Sequence, residues 1–149
     1  MDKAKLQAEL KSSMLARNEL RTSVLRLILS AINYFEIQKG GAGYTATEED
    51  VMNVISNQAK QRRDSITEFE KAGRPELAEK EKTELEILQT FLPEQMSDEE
   101  IAREVEAAIT STGATTAQEM GKVMGALSGL KGKADMGKVS GLVRQKLIG

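Results

Sequence analysis

The sequence predicts an all-helical protein, with an N-terminal four-helix part followed by a C-terminal part of three shorter helices. Three observations carry this reading. Aromatic residues are only 3% of the 149 residues, against 40% apolar and 30% charged; β-rich domains lean on aromatic and β-branched residues, helical ones on Leu, Ala, Met, Glu and Lys. Apolar residues recur at spacings of three and four along most of the chain. Caps, glycines and prolines divide that pattern into segments of helical length.

The first helix is expected from about Asp2 to Arg17, where Leu6, Leu10 and Met14 form one stripe. Asn18 is the candidate cap of the second, which carries Leu20, Val24, Leu25, Leu27, Ile28, Ala31, Ile32 and Phe35. Apolar side chains cover more than half its circumference, so it is expected to be the most buried. Gly40 to Tyr44 breaks the pattern, and Thr47 opens a third helix with Glu48, Glu49 and Asp50 in its first turn. Carboxylates there suit the positive end of the helix dipole. Its stripe is Val51, Ile55, Ala59, Ile66 and Phe69. Gly73 ends it and Pro75 restarts the chain as a fourth helix, running to about Phe91 with Leu77, Leu85, Leu88 and Leu92 inward.

Leu92-Pro93 marks a boundary, because a residue before proline is pushed away from helical angles. The expected domains are residues 1–92 and residues 97–149. Ser97-Asp98-Glu99-Glu100 reads as a capping box, followed by Ile101, Val105, Ala108 and Ile109 at helical spacing. Thr112-Gly113 ends that helix. A sixth carries Met120, Val123, Met124 and Leu127, and a seventh, capped by Asp135, carries Val139, Leu142, Val143 and Leu147.

Composition removes several chemistries. There is no Cys, so no disulfide framework exists. There is no His either, which excludes Ser-His-Asp and Cys-His nucleophilic sites and His/Cys zinc centres. Acid-base work would fall to Glu, Asp, Lys or Tyr. The first residues lack the apolar stretch of a secretory signal and no apolar run approaches ~18 residues, so a cytoplasmic protein without a membrane span is expected. The net charge of −2 hides an asymmetry: residues 1–113 carry 15 Lys/Arg against 21 Asp/Glu, whereas residues 114–149 carry six Lys/Arg against Glu119 and Asp135. A basic segment on an acidic protein points to an anionic partner.

The Gly40-to-Tyr44 loop lacks the following Gly-Lys-Ser/Thr of a phosphate loop and reads as a flexible helical connection. Arg62, in Lys60-Gln61-Arg62-Arg63, shares the stripe of Ile55, Ala59, Ile66 and Phe69. If the third and fourth helices form a hairpin turning at Gly73, Arg62 comes within reach of Glu81 and Glu84. A half-buried arginine requires a partner, so a structural ion pair is expected. Glu79, Glu81, Glu84 and Glu86, interleaved with Lys80 and Lys82, read as an ion-paired surface rather than a metal site. Gly121 and Gly125 lie four apart, which puts them on one helix face; they read as permitting close approach, by a neighbouring helix in preference to a ligand. Gly129-Leu130-Lys131-Gly132-Lys133-Ala134-Asp135 is a basic turn entering a helix start, where unpaired backbone N–H groups favour anions. It reads equally as an ordinary turn with surface lysines.

At this segment a family resemblance becomes visible. Met120-Gly-Lys-Val-Met-Gly-Ala-Leu, then Lys131-Gly-Lys-Ala-Asp, then Val139-Ser resemble the C-terminal motifs of GatB/YqeY proteins. Ser23-Val-Leu-Arg-Leu, Lys60-Gln-Arg-Arg-Asp-Ser-Ile, Glu68-Phe-Glu-Lys-Ala-Gly-Arg and Phe91-Leu-Pro-Glu-Gln resemble the N-terminal part of free-standing YqeY-like members. The resemblance implies that the C-terminal part is similar to the GatB tail domain of the aspartyl/glutamyl-tRNA amidotransferase, a tail associated with tRNA binding. One departure is that Met136 stands between Asp135 and Gly137, where the amidotransferase tail often has Gly directly. The catalytic units of that enzyme have no counterpart in this chain.

The functional expectation is a non-catalytic, tRNA-interacting accessory protein with no cofactor and no metal. Its C-terminal helices would touch phosphates through Lys131, Lys133 and Lys138, with Lys122 and Arg144 nearby. The alternatives are a protein–protein adaptor or assembly factor of the translation machinery, docking through an exposed apolar groove of the N-terminal part, and a component of a glutamine-dependent carbon–nitrogen ligase. The last rests on the family label alone.

Overall fold

The computed structural model of the protein describes residues 1–148. The fold is all-α, as the composition and periodicity predict. The helices are α1 (Lys3–Leu15), α2 (Glu19–Gly40), α3 (Glu48–Lys71), α4 (Pro75–Gln89), α5 (Asp98–Thr112), α6 (Met120–Ala126) and α7 (Met136–Ile148). Short 3-10 turns lie at Gly41–Gly43, Ala117–Glu119 and Ser128–Leu130. Among the described residues no strand forms; one isolated bridge joins Lys131 and Ala134 within a turn. The chain divides into two compact units, Met1–Pro93 and Glu94–Gly149.

The first unit is organised around α2. Val24, Leu25, Ile28, Leu29 and Ile32 are buried against Leu6 of α1, Val51, Val54 and Ile55 of α3, and Leu88 and Phe91 at the end of α4. Each such side chain contributes at most about 1.5–3 kcal/mol, so α2 dominates this core. Apolar composition does not mean burial all round, however. Leu20, Leu27, Tyr34 and Ile37 are 37%, 49%, 66% and 64% exposed. Met14, expected on the inward stripe of the first helix, is also exposed, whereas Leu6 is fully buried.

The ends of the helices explain their lengths. Asn18 accepts from the Arg21 N–H and starts α2. Thr47 and Asp50 form a full capping box at the start of α3. Two helices end in the same hydrogen-bonding pattern. In α3, the N–H of Gly73 meets the Glu70 carbonyl and that of Arg74 meets the Phe69 carbonyl, with Gly73 at φ +70°. In α1, the N–H of Arg17 meets the Met14 carbonyl and that of Asn18 meets the Ser13 carbonyl, with Arg17 at φ +56°. Glycine is the usual residue for this left-handed position, and an L side chain there costs roughly 1–2 kcal/mol.

The Gly40-to-Tyr44 segment is a short 3-10 turn whose contacts lie at its two ends. A Cβ on Gly40 would lie 2.9 Å from the Tyr44 Cβ. The Tyr44 hydroxyl donates to Asp50 Oδ2 at 2.6 Å, and its ring meets Phe35 edge-on. Buried Glu36 accepts from Lys3 Nζ at 2.7 Å and from the Ala46 N–H at 2.8 Å. That carboxylate ties the start of α1 and the segment before α3 to the end of α2.

The second unit packs α5, α6 and α7 around Ile101, Val105, Ala108, Val123, Leu127, Val139, Val143 and Leu147. Ser97 accepts from the Glu100 N–H, and its own hydroxyl donates to the Glu100 carboxylate. The helix-packing expectation for Gly121 and Gly125 fails: both are exposed, and a Cβ on either would meet nothing within 4 Å.

Candidate nucleic-acid interface

The basic turn between Ser128–Leu130 and α7 is built from its backbone outward. The N–H groups of Lys133 and Ala134 both reach the Leu130 carbonyl. Gly132 is buried with φ +82°, a conformation that its missing Cβ permits. The Gly132 carbonyl accepts from Gln95 Nε2 at 2.7 Å and the Lys133 carbonyl accepts from the Met96 N–H at 2.8 Å. With the carbonyls of this turn held by residues 95–96, Lys131 and Lys133 are both exposed. Neither has an ion pair among the described residues.

The other expected cations behave differently. Lys138 donates to Asp98, whose side chain is 78% exposed. Such a surface pair is worth ~0–1 kcal/mol and is readily exchanged. Arg144 is exposed on the same helix, but six residues further on, about 120° around the axis from Lys138. Lys122 is exposed on α6. It helps lower the Glu119 pKa, behind the larger influence of the Thr115 N–H on that carboxylate. Lys146, the remaining cation of α7's last turn, holds Glu106 at 2.8 Å and pulls its pKa down. The structure thus brings Lys131 and Lys133 together on one turn, ties Lys138 to Asp98 and turns Arg144 to another side of α7. The start of α7 is partly occupied, because Asp135 Oδ1 accepts from the Gly137 N–H at 2.9 Å.

In the first unit, Arg62 Nη1 donates to Glu81 Oε2 at 2.9 Å and also to Glu84 Oε2. All three side chains are largely sheltered. Arg62 Nε is buried without a partner among the described residues. The guanidinium borders a pocket of about 270 Å³ with Leu27, Gln58, Gln61, Ser65 and Glu81. Of the neighbouring acids, Glu79 and Glu70 both pair with Lys82. The Glu36–Lys3–Ala46 contact escaped the sequence reading, because its partners are 33 and 10 residues apart and neither spacing is a helical one.

This all-α arrangement, with seven helices in two units and a pinned basic turn, defines a class of small helical proteins. The family description "Yqey-like protein" matches residues 3–147, and the chain belongs to the YqeY-like family. It is similar to "Altered inheritance of mitochondria protein 41, mitochondrial" of Clavispora lusitaniae, 40% identical over 98 residues, which is 64% of this chain and 55% of that protein. The protein of the same name from Kluyveromyces lactis is 39% identical over 106 residues, 69% of this chain and 56% of that one. An uncharacterized protein of Schizosaccharomyces pombe is 37% identical over 95 residues, 64% of this chain and 75% of that one. The chain matches about half the length of most of these curated relatives.

These names correct the cytoplasmic expectation: they point to the mitochondrion rather than the general cytoplasm. That expectation rested on a missing apolar leader, and mitochondrial transit segments are amphipathic and Arg/Ser-rich instead. No helix among the described residues is long and apolar enough to cross a membrane.

Proposed function

We propose that this YqeY-like chain is a non-catalytic accessory protein that binds tRNA through phosphate contacts on its C-terminal unit. The observation that carries the reading is the turn holding Lys131 and Lys133, anchored through its carbonyls to Gln95 and Met96 with both lysines exposed and unpaired among the described residues. Anchored cations lose less freedom on binding than cations on a mobile loop. Lys138 joins them when a phosphate replaces Asp98. Support also comes from Gly121 and Gly125, which flank Lys122 and Val123 in an exposed position with open space beyond them. Each weakens α6 by ~1 kcal/mol relative to Ala, and no contact among the described residues offsets this.

The test is a salt titration of tRNA binding by the full chain. Each neutralised phosphate adds ~0.7–0.9 to the slope of log affinity against log salt, so Lys131 and Lys133 give a slope of roughly 1.4–1.8, and Lys138 raises it to about 2.1–2.7. No aromatic residue follows Phe91, so this unit offers no base stacking and sequence preference is slight. Changing Lys131, Lys133 and Lys138 together to Ala should remove affinity and slope while leaving helical content intact. Binding that persists in the triple variant, or no binding at low salt, overturns the reading.

A further inference from the structure

At the elbow between α1 and α2 lies a groove of about 520 Å³ lined by Met14, Arg17, Glu19, Thr22, Ser23 and Arg26. Arg26 and Ser23 belong to the Ser23-Val-Leu-Arg-Leu motif, which the nucleic-acid reading leaves unused. Neither Arg17 nor Arg26 has an ion pair among the described residues. Exposed apolar side chains adjoin the lining in the chain: Met14, which lines the groove, is 51% exposed, Leu15 78% and Leu20 37%. About two and four turns further along α2, Leu27 and Tyr34 follow Leu20 at seven-residue intervals, and residues so spaced share one helix face. We propose that this surface docks an acidic amphipathic helix of another protein. Leucine-type anchors of the guest would lie on Met14, Leu15 and Leu20, and its carboxylates would meet Arg17 and Arg26.

The choice of occupant follows from charge and from one residue in an unusual conformation. Two unpaired guanidiniums beside exposed leucines complement a helix with apolar residues at i, i+3 and i+4 and carboxylates flanking them. A phosphate backbone would use the arginines but leave the exposed leucines uncovered. Arg17 itself sits at a left-handed backbone position. The same chain closes α3 by the same hydrogen-bonding pattern with Gly73, where no side chain is strained. At the end of α1 the strained residue carries a long cationic side chain into the groove. A residue held in such a conformation points to a role outside the local fold. The elbow is rigid enough to present it: Ser13 Oγ bonds the Asn18 carbonyl and the Thr22 hydroxyl in the buried corner behind it.

This surface belongs to the first unit, so its test is separable from tRNA binding. A benzophenone amino acid is placed at Leu15 in the full chain, the cells are irradiated, and the cross-linked segment is sequenced. The expected product is a protein segment with apolar residues at helical spacing flanked by Asp or Glu. A synthetic peptide of that segment should bind the full chain and lose at least ~10-fold affinity to the Arg17→Glu/Arg26→Glu variant, as arginine hot spots do. Arg17→Gly should also weaken peptide binding, yet leave the thermal midpoint unchanged or raised, because it removes the strained side chain. The Lys131, Lys133, Lys138 triple variant should cross-link as wild type does. Cross-linking to RNA, to lipid, to a second copy of this chain or to a segment without that acidic pattern overturns the proposal. So does the absence of any cross-link, or peptide affinity that is indifferent to both arginines.

Discussion

Arg62 of α3 and Glu84 of α4 are joined across the hairpin by a charge-assisted hydrogen bond from Nη1 to Oε2, and Glu81 takes the same nitrogen from one turn earlier. The Arg62 and Glu84 side chains are each only 13% exposed, so removing one partner leaves the other charge poorly solvated. The pairing bridges the α3–α4 hairpin. Arg62→Ala strands two carboxylates in a sheltered site and should lower stability by ~3–5 kcal/mol. Denaturant unfolding of the variant reads this directly. In a double-mutant cycle with Glu84→Ala, the second substitution should cost far less in the Arg62→Ala background than alone. Equal costs in both backgrounds would mean that the pair contributes nothing to the hairpin.

The Glu36 carboxylate gives the first unit a pH dependence on the acid side. The Lys3 ammonium first, and the Ala46 N–H second, hold its pKa below the ordinary value of 4.5. A depressed folded-state pKa means that the contribution is fully present above the unfolded value and is lost as pH falls through the folded one. Glu36→Gln keeps an acceptor for Ala46 but loses the charge that Lys3 meets. The thermal midpoint of the wild type should therefore exceed that of Glu36→Gln at pH 7. The gap should begin to close below pH 4.5 and vanish in stronger acid. A gap that is constant from pH 7 to pH 2 would show that the ion pair does not stabilise the fold.

Purified chain should turn over neither glutamine nor ATP. Without His or Cys, the nucleophile–base pairs most used for amide chemistry are missing. Among the carboxylates described above, Glu36, Glu81 and Glu84 are committed to ion pairs. Ammonia release and phosphate release assays with stoichiometric tRNA present check this. Turnover abolished by a single carboxylate substitution would overturn it.

Much of this architecture was legible from periodicity and punctuation, and the failures share a cause. The Asn18, Thr47 and Ser97 starts, the Gly73 stop and the Pro75 restart are local chemistry, and local chemistry is written in adjacent residues. The meeting of Arg62 with Glu81 and Glu84 was expressible in sequence terms because a hairpin with a known turning point fixes which residues face each other. Glu36 with Lys3 had no such ruler: the contact depends on how α1 packs on α2, which no spacing encodes. The exposure of Leu27 and Tyr34 was invisible for a related reason. A helix that is apolar around most of its surface does not say which flank its neighbours leave uncovered. In the candidate interface, the residue types of the basic turn were readable, whereas the anchoring by Gln95 and Met96 and the turning away of Arg144 required three dimensions. Gly121 and Gly125 were placed on one face correctly, but what that face meets was not.

Those two glycines supply the last prediction, because stability and binding should move in opposite directions. Both lie within α6 and are exposed. A Cβ at either position would have no neighbour within 4 Å, and neither has positive φ. Gly→Ala at each site should therefore stabilise the second unit by ~1 kcal/mol, through lower backbone entropy in the unfolded chain and better helix propensity. If these glycines only relax α6, the double Ala variant should be more stable and bind tRNA as before. If instead they leave room for a phosphate backbone beside Lys122, the added methyl groups hold the strand away from the helix. Affinity should then fall several-fold at low salt while the midpoint of unfolding rises. The comparison needs thermal unfolding and a tRNA binding curve on the same preparation of Gly121→Ala/Gly125→Ala. A rise in stability with undiminished binding would remove α6 from the interface and leave the Lys131–Lys133 turn to act without it.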